Sequence, residues 1–280
     1  MPILHTDNPD ITSLKGLHLY HAGMSNCAMR VRLALEEKGL EWTSHEVDLG
    51  HQENLEPWYL AINPKGLVPA IVHDGVPVTE SNDILRYLEE NFSEPALTSS
   101  DPALAAEAWE WLDLAASLHM KAIKTWVYGT TGGASKKRSD MDRYGDIQPD
   151  KSLVAFHEKS LDGFTVQEIE TARQMLVDVF DRMEARLKDH SFLVGNEQSI
   201  ADIAWVPQYV LLGMLGFDFS PWPGIVAWAT NQQKRPAYQS AVTAWLPKIP
   251  GWALRKGIQA MRLWRKLKAG LSARRSRPVS

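Results

Sequence analysis

LHLYHAGMSNCAMRVRLALEEKGL, residues 17–40, changes its hydrophobic period in mid-run, and that change sets the architecture around it. Leu17 to Ala22 is a short apolar run flanked by glycines and reads as a β-strand. Ala28 to Lys38 then mixes Met29, Val31, Leu33, Ala34 and Leu35 with Arg30, Arg32, Glu36, Glu37 and Lys38 in a helical pattern. Gly39 stands where a C′ glycine ends a helix. Downstream, Trp42 to Val47 alternates as a second strand. Leu67 to His73 and Pro77 to Thr79 read as two short strands around Asp74-Gly75, a dipeptide suited to a tight hairpin turn. From Ser81 a second helix places Ile84, Leu85, Leu88 and Phe92 on one face. The order βαβ, connector, ββα is that of an α/β thioredoxin-like domain, expected over residues 16–94.

Beyond Pro95 the character changes. SEPALTSSDPA reads as a linker, and an all-α domain is expected over residues 102–247. Its helices are expected at Ala103–Trp126, Val166–Asp189, Ile200–Leu215, Pro223–Gln233 and Ala237–Trp245. Between the first two, a stretch rich in Gly, Ser, Lys and Asp reads as a long loop insertion over about residues 129–164. Ser199 and Asp202 have the spacing of a capping box, which belongs to folding rather than to chemistry.

The composition excludes several classes. At 280 residues, 44% apolar and 23% charged, the chain is neither disordered, collagen-like nor coiled-coil. Its single cysteine, Cys27, allows no intramolecular disulfide and no thiolate set for zinc or iron–sulfur, so no metal is expected. The N-terminus lacks a basic, then apolar, leader, and no run of about 18 apolar residues occurs, so a cytoplasmic location is expected. The net charge of −4 is uneven. Residues 248–280 carry ten Lys and Arg and no acid, which leaves the other 20 bases against all 34 acids, a net of −14. In that tail Leu254, Ile258, Met261, Trp264, Leu267 and Leu271 recur at three or four residues, making a basic amphipathic helix. It has two readings: peripheral contact with an anionic membrane, or packing against the acidic body. Nucleic acid is not an expected partner, because the rest of the chain is acidic and carries no recognition motif.

Three short motifs carry chemistry. At Ser25-Asn26-Cys27 a hydroxyl stands beside a helix N-terminus, where unpaired N–H groups favour negative charge. Lowering a thiol from a pKa of about 8.5 by about two units takes about 2.7 kcal/mol. A hydrogen bond to a charged acceptor supplies about 1.5–3 kcal/mol and the helix terminus about 0.3–1 more. The alternative makes Ser25 an N-cap and Cys27 a small buried hydrophobe. In Asn63-Pro64-Lys65-Gly66-Leu67-Val68-Pro69-Ala70-Ile71, Pro69 marks a strand start, and a cis bond there would turn the Val68 N–H and C=O toward an extended peptide. In Thr79-Glu80-Ser81-Asn82-Asp83, Glu80 can accept from an amine while the Ser81 hydroxyl and N–H bind a carboxylate. Taken separately these last two are a turn and an N-cap. In order, the three describe a site for a short peptide with a thiol at one end and an α-amino acid at the other.

SNCAMRVRLALEEKGL, NPKGLVPAI and TESNDILRYLEENF together resemble the N-terminal domain of the cytosolic glutathione transferases. The first is similar to the zeta-type pattern of maleylacetoacetate isomerases and to tetrachlorohydroquinone dehalogenases. FLVG at 192–195, SIAD at 199–202, residues 223–228 and RPA at 235–237 resemble the family's helical C-terminal domain. The resemblance implies the glutathione transferase fold, glutathione as co-substrate and a hydrophobic small-molecule partner. It places Ser25 against the glutathione sulfur, Val68 and Pro69 along the tripeptide backbone, and Glu80 and Ser81 at the γ-glutamyl group. Gln52 and Lys65 fall at the glycine end. Cys27 completes a Ser-x-Cys pattern that in dehalogenase-like relatives takes part in chemistry; serine rather than cysteine at 25 argues against a thiol-reductase type.

The insertion and an aromatic-rich first helix resemble the bacterial β-etherases that cleave lignin-derived aryl ethers. Met24, Trp109, His119, Trp126 and Tyr128 are the candidate walls of an aromatic pocket, with Trp111 beside them; core packing is the other reading of each. Isomerisation of a cis double bond, reductive dehalogenation through Cys27, and a non-catalytic glutathione-binding subunit are the alternatives. The resemblance also implies a dimer, with a second copy or a related chain.

Overall fold

A computed structural model describes residues 3–133 and 136–249, together with 253, 256, 257 and 260. The basic amphipathic tail expected over 248–280 thus falls almost wholly outside the described residues.

Strand β1 (Leu17–His21) lies at the centre of the first half. Its Leu17 and Leu19 side chains enter the main core, while Tyr20 packs with Ile11, Tyr59 and Ile62 on the other face. A four-stranded sheet forms in the order β2-β1-β3-β4, with β2 at Trp42–Glu46, β3 at Ala70–His73 and β4 at Val76–Thr79. β1 and β2 are parallel, which requires a crossover, and the other two pairings are antiparallel. The hairpin turn falls at Asp74 (φ 48°) and Gly75 (φ 83°), where a Cβ on Gly75 would lie 2.6 Å from the Thr12 carbonyl oxygen. This is the thioredoxin-like fold the element order implies.

The first helices are α1 (Pro9–Thr12), α2 (Asn26–Glu37), α3 (Pro57–Leu60) and α4 (Ser81–Asn91). α2 supplies the β1–β2 crossover and packs on α4 on one side. Arg30 and Arg32 on this helix are buried at 1% and 0% exposure, so the helix has no simple polar face where they lie.

The second half is helical, as expected: α5 (Pro102–Leu118), α6 (Thr125–Thr131), α7 (Met141–Ile147), α8 (Lys151–Asp162), α9 (Val166–Leu187), α10 (Ile200–Met214), α11 (Pro223–Gln233) and α12 (Pro236–Ala241). Two differences from the sequence reading matter. The first long helix is interrupted by a π-helical segment, His119–Lys124. The stretch read as a long loop contains α7 and α8. Asp150 caps α8 by accepting from the Ser152 and Leu153 N–H groups at 2.9 and 3.3 Å. Met141, Tyr144 and Val154 then bury against Leu55 of the first half. Polar composition masks this small core because its apolar residues are few and widely spaced. None of the described helices is long and apolar enough to cross a membrane.

The capping box at α10 is present and buried. Asp202 Oδ2 accepts from Ser199 N–H at 3.1 Å and Ser199 Oγ at 3.0 Å. Its Oδ1 accepts from Leu193 N–H at 3.0 Å and Trp228 Nε1 at 2.7 Å. Burial raises this carboxyl to about 6 against the pull of those donors, so at neutral pH it is ionised and accepts from all four. Asp202→Asn places an amide N–H₂ where donors already point. We expect a loss of about 3 kcal/mol in urea unfolding; a loss below about 1 kcal/mol removes this account.

Candidate active site

The first turn of α2, the loop before β3 and the N-terminus of α4 enclose a cavity of about 490 Å³, closed on the far side by the π segment, α6, α7 and α8. Ser25, Cys27, Lys65, Val68, Pro69, Glu80 and Ser81 all line it, as do His119 and Tyr128. Motifs separated along the chain meet here because β1 and β4 end, and the antiparallel β3 begins, at the same end of the sheet.

Ser25 caps α2. Its Oγ accepts from the Ala28 N–H at 3.2 Å. That bond uses a lone pair and leaves the O–H proton to donate into the cavity, so the capping and chemical readings of Ser25 are compatible.

The Val68–Pro69 bond is cis. Leu67 is held from behind, its carbonyl accepting from Tyr59 Oη at 2.6 Å and Asn63 Nδ2 at 2.7 Å. The Val68 N–H and C=O have no hydrogen-bond partner among the described residues. Glu80 has φ 66° and ψ 116°, a region non-glycine residues seldom occupy. Its Oε1 accepts from Lys65 Nζ at 2.7 Å. Ser81 opens α4, where no side chain caps the first N–H groups, and its Oγ accepts from Arg30 Nη1 at 3.3 Å.

Cys27 is half-buried on the same wall. Its sulfur lies 4.0 Å from His119 Nε2. Asn26 Nδ2 donates to Gln208 Oε1 at 2.8 Å and faces His119 Nδ1 at 3.2 Å. Both ring nitrogens of His119 are thus engaged, Nδ1 by the Asn26 amide and Nε2 by the sulfur. Burial raises the Cys27 thiol, but His119, by charge and hydrogen bond, then Arg30 and Lys124, outweigh it and bring it down to about 6.

Not every expected residue reaches the cavity. Met24 is 43% exposed and lies off its wall, and Gln52, at φ 60°, is not among the lining residues and keeps a buried Oε1 without a partner. Trp109 lies beneath the Arg86 guanidinium at 4.8 Å, and Trp126 packs edge-on against Phe217 at 5.2 Å in the core. Trp111 is also core, its backbone carbonyl accepting from Trp205 Nε1. The π segment explains Trp126: an i→i+5 turn holds an extra residue and rotates everything downstream off the face that α periodicity assigns. Met120, Lys124 and Tyr128, four apart, take that face instead. The inserted region adds Lys136, Tyr144, Asp150 and His157, which its loop-like composition did not reveal. It is tied to the first half by Gln148 Nε2 donating to the Lys65 carbonyl at 2.8 Å and by Arg143 to Glu56 at 2.9 Å.

Because Cys27 is the only cysteine, alkylation reports on it alone. We expect the iodoacetamide rate to rise with pH to a midpoint near the value of about 6 set by its surroundings. His119→Gln should move that midpoint up by about one unit or more. A wild-type midpoint near about 8.5 contradicts the pairing with His119.

Comparison with known proteins agrees with the two-part fold. The family model described as the glutathione S-transferase N-terminal domain matches residues 24–91, and that for the C-terminal domain matches residues 151–236. The tetrachloro-p-hydroquinone reductive dehalogenase of Sphingobium chlorophenolicum is 28% identical over 246 residues, covering 84% of this chain and 96% of that protein. Protein LigF of Sphingobium sp. (strain NBRC 103272 / SYK-6) is 32% identical over 237 residues, covering 79% and 91%. A crystal structure of the β-etherase LigF from Sphingobium sp. strain SYK-6 superposes with a TM-score of 0.70 at 26% identity, covering 80% of this chain and 98% of that one. With its sheet order, its helical second half and a cavity built where the matched segments meet, the chain belongs to the glutathione S-transferase family.

Proposed function

We propose that the protein binds glutathione in this cavity and directs its thiolate at a hydrophobic aromatic electrophile, with an aryl ether beta to a ketone as the preferred substrate. The observation that carries the proposal is Ser25: a hydroxyl on the cavity wall whose acceptor side is engaged by Ala28 N–H and whose proton is free to donate. A sulfur set against it receives one hydrogen bond and the positive end of α2. Val68 offers an unpaired N–H and C=O to the tripeptide's cysteine, in the manner of an added strand. The γ-glutamyl carboxylate fits the uncapped N-terminus of α4 at Ser81, and its ammonium fits Glu80. Lys65 then lies toward the peptide's remaining carboxylate.

With the thiol proton released to solvent, the thiolate forms a C–S bond at the carbon alpha to the ketone. The bond from that same carbon to the ether oxygen breaks, its electron pair going to the oxygen, and the phenolate leaves with its aryl–oxygen bond intact and without any change of overall oxidation state. The likeness to LigF in sequence and structure supports this choice of substrate. Tyr128, half-buried on the wall, supplies ring surface for an aromatic ligand.

Cys27 favours a second reading. A thiol brought to about 6 on the same wall suits reductive dehalogenation, the activity named for the Sphingobium chlorophenolicum relative. There Cys27 would attack the sulfur of a glutathionyl aromatic, forming a mixed disulfide and expelling the ring as a carbanion that takes a proton. A second glutathione would release Cys27 as oxidised glutathione forms.

Two substitutions separate these readings. Ser25→Ala should lower kcat for ether cleavage by about 10²-fold with little change in glutathione affinity, as loss of one thiolate donor of about 3 kcal/mol predicts. Cys27→Ser should leave ether cleavage within about threefold, a change under 1 kcal/mol, and halt dehalogenation at the glutathionyl conjugate. Unchanged kcat in the Ser25→Ala variant overturns the assignment.

A further inference from the structure

Two lysines face the cavity and hold no part of the tripeptide in the reading above, although Lys124 also bears on Cys27 by its charge. Lys124 comes from the π segment and Lys136 from the inserted region, and both line the cavity together with Val68 and Glu80. Lys124 Nζ lies 5.8 Å from the ring centroid of Tyr128, and Lys136 Nζ lies 4.4 Å from that of Tyr144. Both rings line the same cavity. Among the described residues neither lysine forms an ion pair, whereas Lys65 is held by Glu80 at 2.7 Å.

A ring face offsets only part of the cost of withdrawing an ammonium group from water. Burial accordingly draws Lys136 below the usual lysine range, with Asp140 opposing it from a distance. The carboxylates on the wall do not answer this charge. Glu80 is engaged by Lys65, and Asp150 accepts from Ser152 N–H at 2.9 Å, Ser152 Oγ at 2.6 Å and Leu153 N–H at 3.3 Å. His157, beside them, is lowered to about 4 by burial and then by Lys136 and Lys124, so it is neutral at pH 7.

We propose that Lys124 and Lys136, flanked by Tyr128 and Tyr144, form an anion subsite that receives a carboxylate carried on the aromatic substrate. Aromatic acids are therefore the preferred class of electrophile. The subsite's use in catalysis rests on the glutathione-transfer reading; its existence does not, and the test is a binding measurement.

Calorimetric titration of the full chain with 2-naphthoate and 2-naphthamide, both in saturating S-methylglutathione, compares a carboxylate with its neutral counterpart. The acid should bind about tenfold or more tightly, the ratio expected of one charge-assisted contact. Lys124→Met and Lys136→Met should each remove most of that preference and leave naphthamide affinity within about twofold. Lys136→Arg should keep it. Equal affinity of the wild type for the two ligands overturns the proposal, and this comparison stands even where a methionine variant does not fold. So does an equal loss for both ligands in a folded variant, which marks the lysines as packing residues. If naphthoate binds only without S-methylglutathione, the lysines hold the tripeptide's own carboxylate and the substrate assignment fails. Should turnover be absent while the preference persists, the reaction proposed above is wrong and the subsite stands.

Discussion

Arg30 and Arg32 lie on buried faces of α2, so each guanidinium must find its partners inside the protein or leave a charge uncompensated at a cost of several kcal/mol. Arg32 donates to the Ala241 carbonyl at 2.8 Å, to the Gly23 carbonyl at 2.9 Å and to His21 Nδ1 at 3.0 Å, and stacks on Trp245. Burial lowers it to about 10, with Glu46 opposing, so it remains charged at neutral pH. Arg30 reaches Ser81 and Asn82 at the start of α4. These contacts join the end of β1, the α4 N-terminus and the last helix to one buried element. The first turn of α2 cannot shift without breaking them, and that turn carries Ser25, Asn26 and Cys27.

One helix terminus thus brings a hydroxyl and a thiol to the same cavity. Ser25 meets the cavity with a hydroxyl proton, while Cys27, two residues on, faces His119 from the other domain. Asn26 between them points back to Gln208, so the residue separating the two groups also anchors them to α10. The positive end of the helix favours negative charge at both positions. His119 stands on a π segment, a distortion often found where a side chain must be re-aimed.

The inserted helices change what the cavity can hold. Without α7 and α8 the side opposite Glu80 would lack Tyr144 and His157. Gln148 and Arg143 clamp this unit to the first half, at the loop carrying Lys65 and at α3. The wall these helices build is therefore attached directly to the loop carrying Lys65.

Much of this was legible in residue order. The change of period within 17–40, the Asp74-Gly75 turn and the linker after Pro95 decide strand, helix and domain order, because local backbone preferences dominate there. Short motifs, which need no knowledge of distant contacts, likewise anticipate that Ser25, Pro69, Glu80 and Ser81 line one cavity. Tertiary structure alone decided which aromatics face the cavity. Periodicity ranks the faces of a helix but does not say which neighbour each face meets. Trp109 lies under Arg86 and Trp126 against Phe217, and the extra residue of the π turn moved the cavity face onto Lys124 and Tyr128. Burial of Arg30 and Arg32 was equally invisible, since the carbonyls and side chains that satisfy them come from elements far along the chain. Contacts between segments 93 residues apart, such as Asn26 with His119, exist only once the core has brought those segments together.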